Sequence, residues 1–460
     1  MTDRHLIVGL AVAAFASPAA AQSAPPHPGL IQRFDAALAR LAEDGLFSGT
    51  VVVSRDGVPV LERAHGLADR ASGRPVELAT RFNVGSMNKM FTAVAILQLA
   101  RGGALSLDDR LIDVLPSYPN PDVARRVTIH QLLTHTAGLG DFVMKMISAP
   151  PREYRRLEDY LGYFVDEELA FEPGARWAYS NGGYLVLGMA IEALTGRPFA
   201  EAIRDSVLGP AGMGQTGFLR SSQDTTAYYA TNYSRMLSPD GAEQAFRMPG
   251  QGGPAGGGWS TTGDLARFAG ALARGRLLDA EWTERLTTGK VDLTPDGRHR
   301  YAYGHFVEDL AGLRLIGHGG GGPGINGELI AYSGTGYSIA VLANVDPPAA
   351  TNVRRLFDGL LLQALGRYPK PMASGGTEFV LAGHDAASVV TVYGDFNGWQ
   401  PFEHPLARVG GRWVGRVELP AGSHQYRFFV DGRDLLDPGN PERRAVPGPL
   451  RQESSVVTVP

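Results

Sequence analysis

Residues 85–103 read GSMNKMFTAVAILQLARGG, and at this point the pattern of the chain changes. Upstream, LIQRFDAALARLAED (30–44) spaces its apolar residues as a helix does, and FSGTVVVSRDGVPVLERAHG (47–66) reads as two strands joined by an Arg55-Asp56-Gly57 turn. The quoted stretch has the composition of a largely buried helix that stops at Gly102-Gly103. From Met87 to about Lys290 the pattern stays mainly helical, broken by Gly- and Pro-rich loops such as MPGQGGPAGGGWSTTGDLARF (248–268). Strand character returns in YAYGHFVED (301–309), LRLIGHGG (313–320), GELIAYS (327–333) and YSIAVLANV (337–345), and NVRRLFDGLLLQAL (352–365) closes the region as a helix. This order implies an α/β (α+β) domain: one sheet built from both ends of the segment, with a helical region inserted and a cleft between the two.

The rest of the chain fits around that domain. Its 460 residues exceed a single small core; 44% hydrophobic and 20% charged residues are ordinary for a globular protein. A formal net charge of −4 with no basic block gives no footprint for nucleic acid. Residues 1–21 carry Arg4 and His5, an apolar run from Leu6 to Ala16 and a small-residue site at Ala19-Ala20-Ala21, the layout of a signal peptide. The expectation is an exported protein, periplasmic or secreted, whose mature chain starts at Gln22, with no membrane span. There is no cysteine, which excludes disulfides, thiol catalysis and thiolate metal sites. The main domain is expected over 22–366, RYPKPMASGG (367–376) reads as a linker, and 377–460 reads as a small all-β sandwich.

Lysine is scarce, since Lys89, Lys145, Lys290 and Lys370 are the only four, and one of them stands three residues after Ser86, one helical turn on. A serine hydroxyl needs a neighbouring base, and a lysine made neutral by burial is one, whereas arginine keeps its proton. Downstream, WAYSNGGY presents Tyr179 and Asn181, and IGHGGGG presents His318 before glycines that let a substrate approach backbone N–H groups. His130 and His135 read as structural, satisfied within their helix and loop. No metal-ligand spacing such as H-E-x-x-H occurs, so no metal or other cofactor is expected.

The ordered set S-x-x-K, Y-x-N and [KH]-x-G, supported by TIHQLLTHTAGL (128–139) and GGGWSTTGDLARF (256–268), resembles the penicillin-recognising serine hydrolases, and within them the class C beta-lactamase-related branch of esterases and peptidases. The resemblance implies a beta-lactamase/transpeptidase-like fold with an antiparallel sheet. It implies that Ser86 is the acylated nucleophile, that Lys89 and Tyr179 form a coupled acid/base pair of which either takes the first proton, and that Asn181 orients Lys89 and substrate. The backbone N–H groups of Ser86 and Gly321, beside Gly320, would form the oxyanion hole. Beta-lactamases usually carry a lysine where His318 stands; a mostly neutral histidine lacks that permanent cation and favours esters over carboxylate-bearing beta-lactams.

Residues VYGDFNGWQ, ELPAGSHQYRFFVDG and DPGNP resemble the glycogen-binding module of the AMP-activated protein kinase beta subunit, an immunoglobulin-like sandwich. By position, Trp399 matches one sugar-stacking aromatic and Arg427 a basic sugar-contacting residue, while Asp434 falls where a second stacking tryptophan belongs. Trp413 reads as core. The expected function is an exported serine esterase for small acyl esters. The alternatives are a beta-lactamase or D-amino-acid or DD-peptidase of the same mechanism, and a non-catalytic polysaccharide-binding protein that meets alpha-glucan through its C-terminal module.

Overall fold

The structure is a computed structural model that describes residue 27 and residues 29–150, 152–218, 228–238, 240–445 and 453–459; the expected signal peptide and the cleavage point before Gln22 lie outside the described residues. Helix α1 (Leu30–Glu43) leads into the hairpin β1 (Gly49–Arg55) and β2 (Val58–His65). The helical region follows, with α2 (Asn88–Arg101), α3 (Asn181–Thr195) and α4 (Thr262–Ala273) as its longest members. The chain then returns to the sheet as β3 (Val291–Asp292), β4 (His299–Tyr301), β5 (Phe306–Leu310), β6 (Leu313–Gly322), β7 (Ile325–Tyr332) and β8 (Tyr337–Ala343), and ends the domain with α5 (Ala349–Ala364). Among the described residues these strands form one eight-stranded sheet in the order β2-β1-β8-β7-β6-β5-β4-β3. The seam between the two ends of the domain is β1 against β8, antiparallel from Gly49↔Ala343 to Arg55↔Tyr337.

Helices α1 and α5 cover one face, where Phe34 meets Phe357 edge-on at 5.2 Å. On the other face α4 is tied to β1 through Thr262 and Thr50, and α2 lies inside the helical region with every residue from Asn88 to Leu97 buried. A helix buried on every side over this stretch has no solvent face to present there. The segment YAYGHFVED does not run as one strand. Ala302 N donates to His305 O at 2.8 Å, and that turn separates β4 from β5.

After α5 the chain reaches the small β domain, β9 (Thr377–Ala382), β10 (Val390–Gly394), β11 (His404–Pro405), β12 (Ala407–Val409), β13 (Arg412–Val417), β14 (Gly422–Val430), β15 (Arg433–Leu435), β16 (Arg443–Ala445) and β17 (Glu453–Val459). Two sheets, β9-β13-β12 and β11-β10-β14-β17-β16, with β15 added to β14, enclose its own core around Phe379, Val392 and Phe428. A second set of its side chains, Val389, Tyr393, Phe402 and Phe429, belongs to the same apolar cluster as α1 and α5. Gly359 of α5 permits this approach: a Cβ there would stand 2.8 Å from a methyl of Val389 and 3.0 Å from the Phe402 ring. Polar contacts surround the apolar seam: Arg40 with Asp431 at 3.1 Å, Gln363 Nε2 to Ser388 O at 2.8 Å, Asn352 Nδ2 to Asp434 at 3.1 Å, and the pairs Arg433–Asp44 and Arg298–Glu403.

Candidate active site

Ser86 stands in a single 3₁₀ turn, Gly85–Met87, that feeds α2. Gly85 has φ +50°, and a Cβ on it would come 3.1 Å from Gly321 N; a Cβ on Gly320 would come 2.0 Å from Val84 O. Two glycines facing each other therefore let the serine turn and the edge of β6 approach more closely than side chains allow. One turn into α2, Lys89 is fully buried, and its Nζ lies 3.2 Å from Ser86 Oγ, 2.7 Å from Asn181 Oδ1 and 2.7 Å from Ala255 O. Burial lowers its pKa to about 7, against an opposing pull from Asp141. A neutral amine has two N–H donors and one lone pair; the two oxygens of Asn181 and Ala255 take the donors, and the lone pair is left to the Ser86 hydroxyl.

Asn181 opens α3, whose N-cap is Ser180, accepting from Gly183 N. Its orientation comes from Asp141, whose Oδ2 accepts from Asn181 N at 3.0 Å and from Asn181 Nδ2 at 2.7 Å. With the amide NH₂ held by a carboxylate, Oδ1 has to face Lys89. Burial pushes the pKa of Tyr179 well up, and its neighbour Ser86 opposes this. The Tyr179 ring lies 4.6 Å from Lys89 Nζ and 4.3 Å from the ring of His135.

A cavity of ≈ 120 Å³ beside Ser86 is walled by Phe142, Val143, Met146, Leu157, Tyr160 and Leu185, and Gly321 lies on its rim. Across Met248 and Gln251 it adjoins a second compartment of ≈ 370 Å³, where Asp69, Arg74 and Tyr229 supply polar groups.

This constellation can be set beside known proteins. The model of the Beta-lactamase family matches residues 32–363, about seven-tenths of the chain. The chain belongs to the beta-lactamase family. Within that family it is 29% identical over 318 residues to Penicillin-binding protein 4* of Bacillus subtilis, covering 66% of this chain and 69% of that protein. It is 36% identical over 216 residues to Esterase EstB of Burkholderia gladioli, covering 43% of this chain and 54% of that protein. Among solved structures, a penicillin-binding protein from Bacillus halodurans superposes with a TM-score of 0.64 at 32% identity, covering 70% of this chain and 98% of that one. The chain is thus a serine hydrolase of this family. Residues 378–449 match a second model, the glycogen recognition site of AMP-activated protein kinase.

The structure brings Ser86, Lys89, Tyr179, Asn181 and Gly321 together. Gly320 is buried beneath the serine turn. His318, 2% exposed, is not among the residues that line the cavity: it packs against the rings of Tyr179, Tyr301 and Phe306, and burial, ahead of the nearby Lys89 and His305, lowers its pKa to about 3. Asp141 and the carbonyl of Ala255 were not singled out by sequence, because both act from loops without periodicity. Neither histidine is satisfied within its own segment: His130 bonds to Tyr303 at 2.8 Å, and His135 lies against the tilted Tyr179 ring and bonds to Tyr301. In the small domain Trp413 packs on the core and donates to His384 O at 3.2 Å. Trp399 is half-buried, set edge-on to Tyr393 at 5.8 Å and packed on the apolar cluster that joins the two domains. Arg427 donates to Glu453 O, and Asp434 accepts from Tyr393 at 2.5 Å as well as from Asn352.

Proposed function

We propose that this protein is an exported serine esterase that cleaves small, uncharged acyl esters through an acyl-enzyme on Ser86. The observation that carries the reading is the threefold hydrogen bonding of Lys89, which leaves its lone pair to the serine. In that scheme Lys89 Nζ takes the Ser86 proton as Oγ attacks the ester carbonyl. The N–H groups of Ser86 and Gly321 receive the charge that develops on oxygen, and Tyr179 passes a proton to the departing alkoxide. Water then attacks the acyl-enzyme by the same route in reverse, with its proton withdrawn by the Lys89–Tyr179 pair.

The choice of esters over carboxylate-bearing lactams is supported by two features: an aromatic and aliphatic wall beside Ser86, and the burial of His318 in its neutral form where a fixed cation would otherwise attract a carboxylate. Peptide or beta-lactam hydrolysis is the second reading. It is favoured by the likeness to Penicillin-binding protein 4* and by the wider polar compartment next to the cavity. Export rests on the signal-like residues 1–21, and no helix among the described residues is long and apolar enough to cross a membrane. For the C-terminal module we favour a docked structural role over an open glucan platform, because Trp399 and Asp434 are engaged at the domain seam. Comparing kcat/KM for a chromogenic butyrate ester, a D-alanyl peptide and a penicillin tests the assignment. A preference of at least tenfold for the ester is expected; a preference for the peptide or the lactam overturns it.

A further inference from the structure

Behind the catalytic serine runs a chain of buried hydrogen bonds that no step of the acyl transfer uses. Ser180 N donates to His135 Nδ1 at 3.1 Å; His135 Nε2 lies 3.1 Å from the Tyr301 hydroxyl; that hydroxyl lies 3.3 Å from His318 Nε2; and His318 Nδ1 lies 2.5 Å from Gly319 O. Both ends of this chain have a fixed sense. A backbone N–H only donates, so His135 Nδ1 is bare and, in the neutral ring, Nε2 carries the proton toward Tyr301. A backbone carbonyl only accepts, so His318 Nδ1 carries the proton toward Gly319, and its Nε2 is bare. Tyr301 stands between an N–H donor and a bare nitrogen. It accepts from one and donates to the other.

We infer that His135 and Tyr301 are positioning residues that hold His318 as the neutral Nδ1–H tautomer, and that this relay ties the strand carrying Gly321 to the helix cap carrying Asn181. The peptide of Gly319 lies two residues before Gly321, and the bond from His318 fixes the direction of its carbonyl. At the other end, Ser180 is the N-cap of the helix that begins with Asn181. The relay therefore spans from the sheet to the helical region, the two bodies between which the site lies. It also explains why a histidine here adds no charge. Protonating His318 would place a second N–H against the Tyr301 proton, in a space already facing Lys89 from α2, His305 from the turn before β5, and the rings of Tyr179 and Phe306. Burial and these neighbours lower both histidines' pKa values in the same direction. Tyr184, whose hydroxyl donates to Leu133 O at 2.8 Å, is the other acceptor within reach of Tyr301 and the competitor for its proton.

Ring-¹⁵N NMR of the intact protein, with His318 assigned by comparison with His318→Gln, tests this without recourse to Ser86 chemistry. The wild type is expected to show His318 with a protonated Nδ1 and a bare Nε2, unchanged between pH 5 and pH 9. In Tyr301→Phe the bare nitrogen loses its donor, so the onset of protonation is expected to move up by about one pH unit, a tenfold change in the proton affinity. Ester kcat in that variant is expected to fall about tenfold with KM nearly constant, since binding groups stay in place while the oxyanion edge loosens. A wild-type His318 with the proton on Nε2, or one that titrates between pH 5 and 8, overturns the inference even if Tyr301→Phe does not fold. So does a folded Tyr301→Phe with unaltered tautomer and unaltered titration.

Discussion

Lys89 has three hydrogen-bonding directions, and Ser86, Asn181 and Ala255 occupy all three. An arginine in its place keeps a charge but yields no proton at any working pH, so Lys89→Arg is expected to lose about 10³-fold in ester kcat/KM, as much as Lys89→Ala, in a steady-state assay. Because burial lowers the Lys89 pKa to about 7, the neutral base gains population as pH rises through that value. Activity should therefore climb with pH on a limb centred near 7. The Asp141 carboxylate raises that pKa, so Asp141→Asn should move the limb to lower pH while reducing kcat through a less firmly held Asn181 amide; a pH–rate profile of the variant checks both signs. The serine, lysine, tyrosine and asparagine of the site were legible because their spacing within short segments carries chemistry. Asp141 and Ala255 were not, since Asp141 reaches Asn181 and Ala255 reaches the lysine from loops far along the chain, and His135 was read as structural because nothing local shows that Tyr301 lies opposite.

At the scale of elements, the strand β6 and the turn before α2 are pressed together through Gly85 and Gly320. Gly320→Ala puts a methyl where Val84 O stands, at 2.0 Å, and the strand has to move. The expected result is a stability loss of about 1–3 kcal/mol in denaturant unfolding together with a fall of about 10²-fold in ester kcat, as an oxyanion donor shifts. The long elements could be read from periodicity or composition: α1, the β1–β2 hairpin and β6 to β8 from their periods, and the buried α2 from its composition up to the Gly102-Gly103 stop. What could not be read are the short strands at the start of and inside the helical region, Phe82–Asn83 with Trp259–Ser260 and Asn232–Ser234 with Gln244–Phe246, which at two or three residues have no period to display. The break in YAYGHFVED was also hidden, because the turn at residues 302–305 sits inside a run that alternates like one strand.

The whole molecule is two domains sharing one apolar seam, and the sequence showed the two cores without showing that they meet. Composition marks Phe402 and Phe429 as buried but does not say against what; of the partner surface, α1 lies far away along the chain and α5 lies across the linker. Gly359→Ala, which intrudes on Val389 at 2.8 Å, is expected to cost about 1–3 kcal/mol, and calorimetry should show one transition in which both domains unfold together, in wild type and variant alike. With Trp399 and Asp434 engaged at that seam, the full chain is expected to migrate unretarded in glycogen gels. The most direct measurement of the central claim is the intact mass of the protein during turnover of a small uncharged ester, followed by peptide mapping. The account predicts one acyl increment, located on Ser86 and absent in Ser86→Ala. An increment on another residue, or undiminished ester turnover by Ser86→Ala, would contradict it.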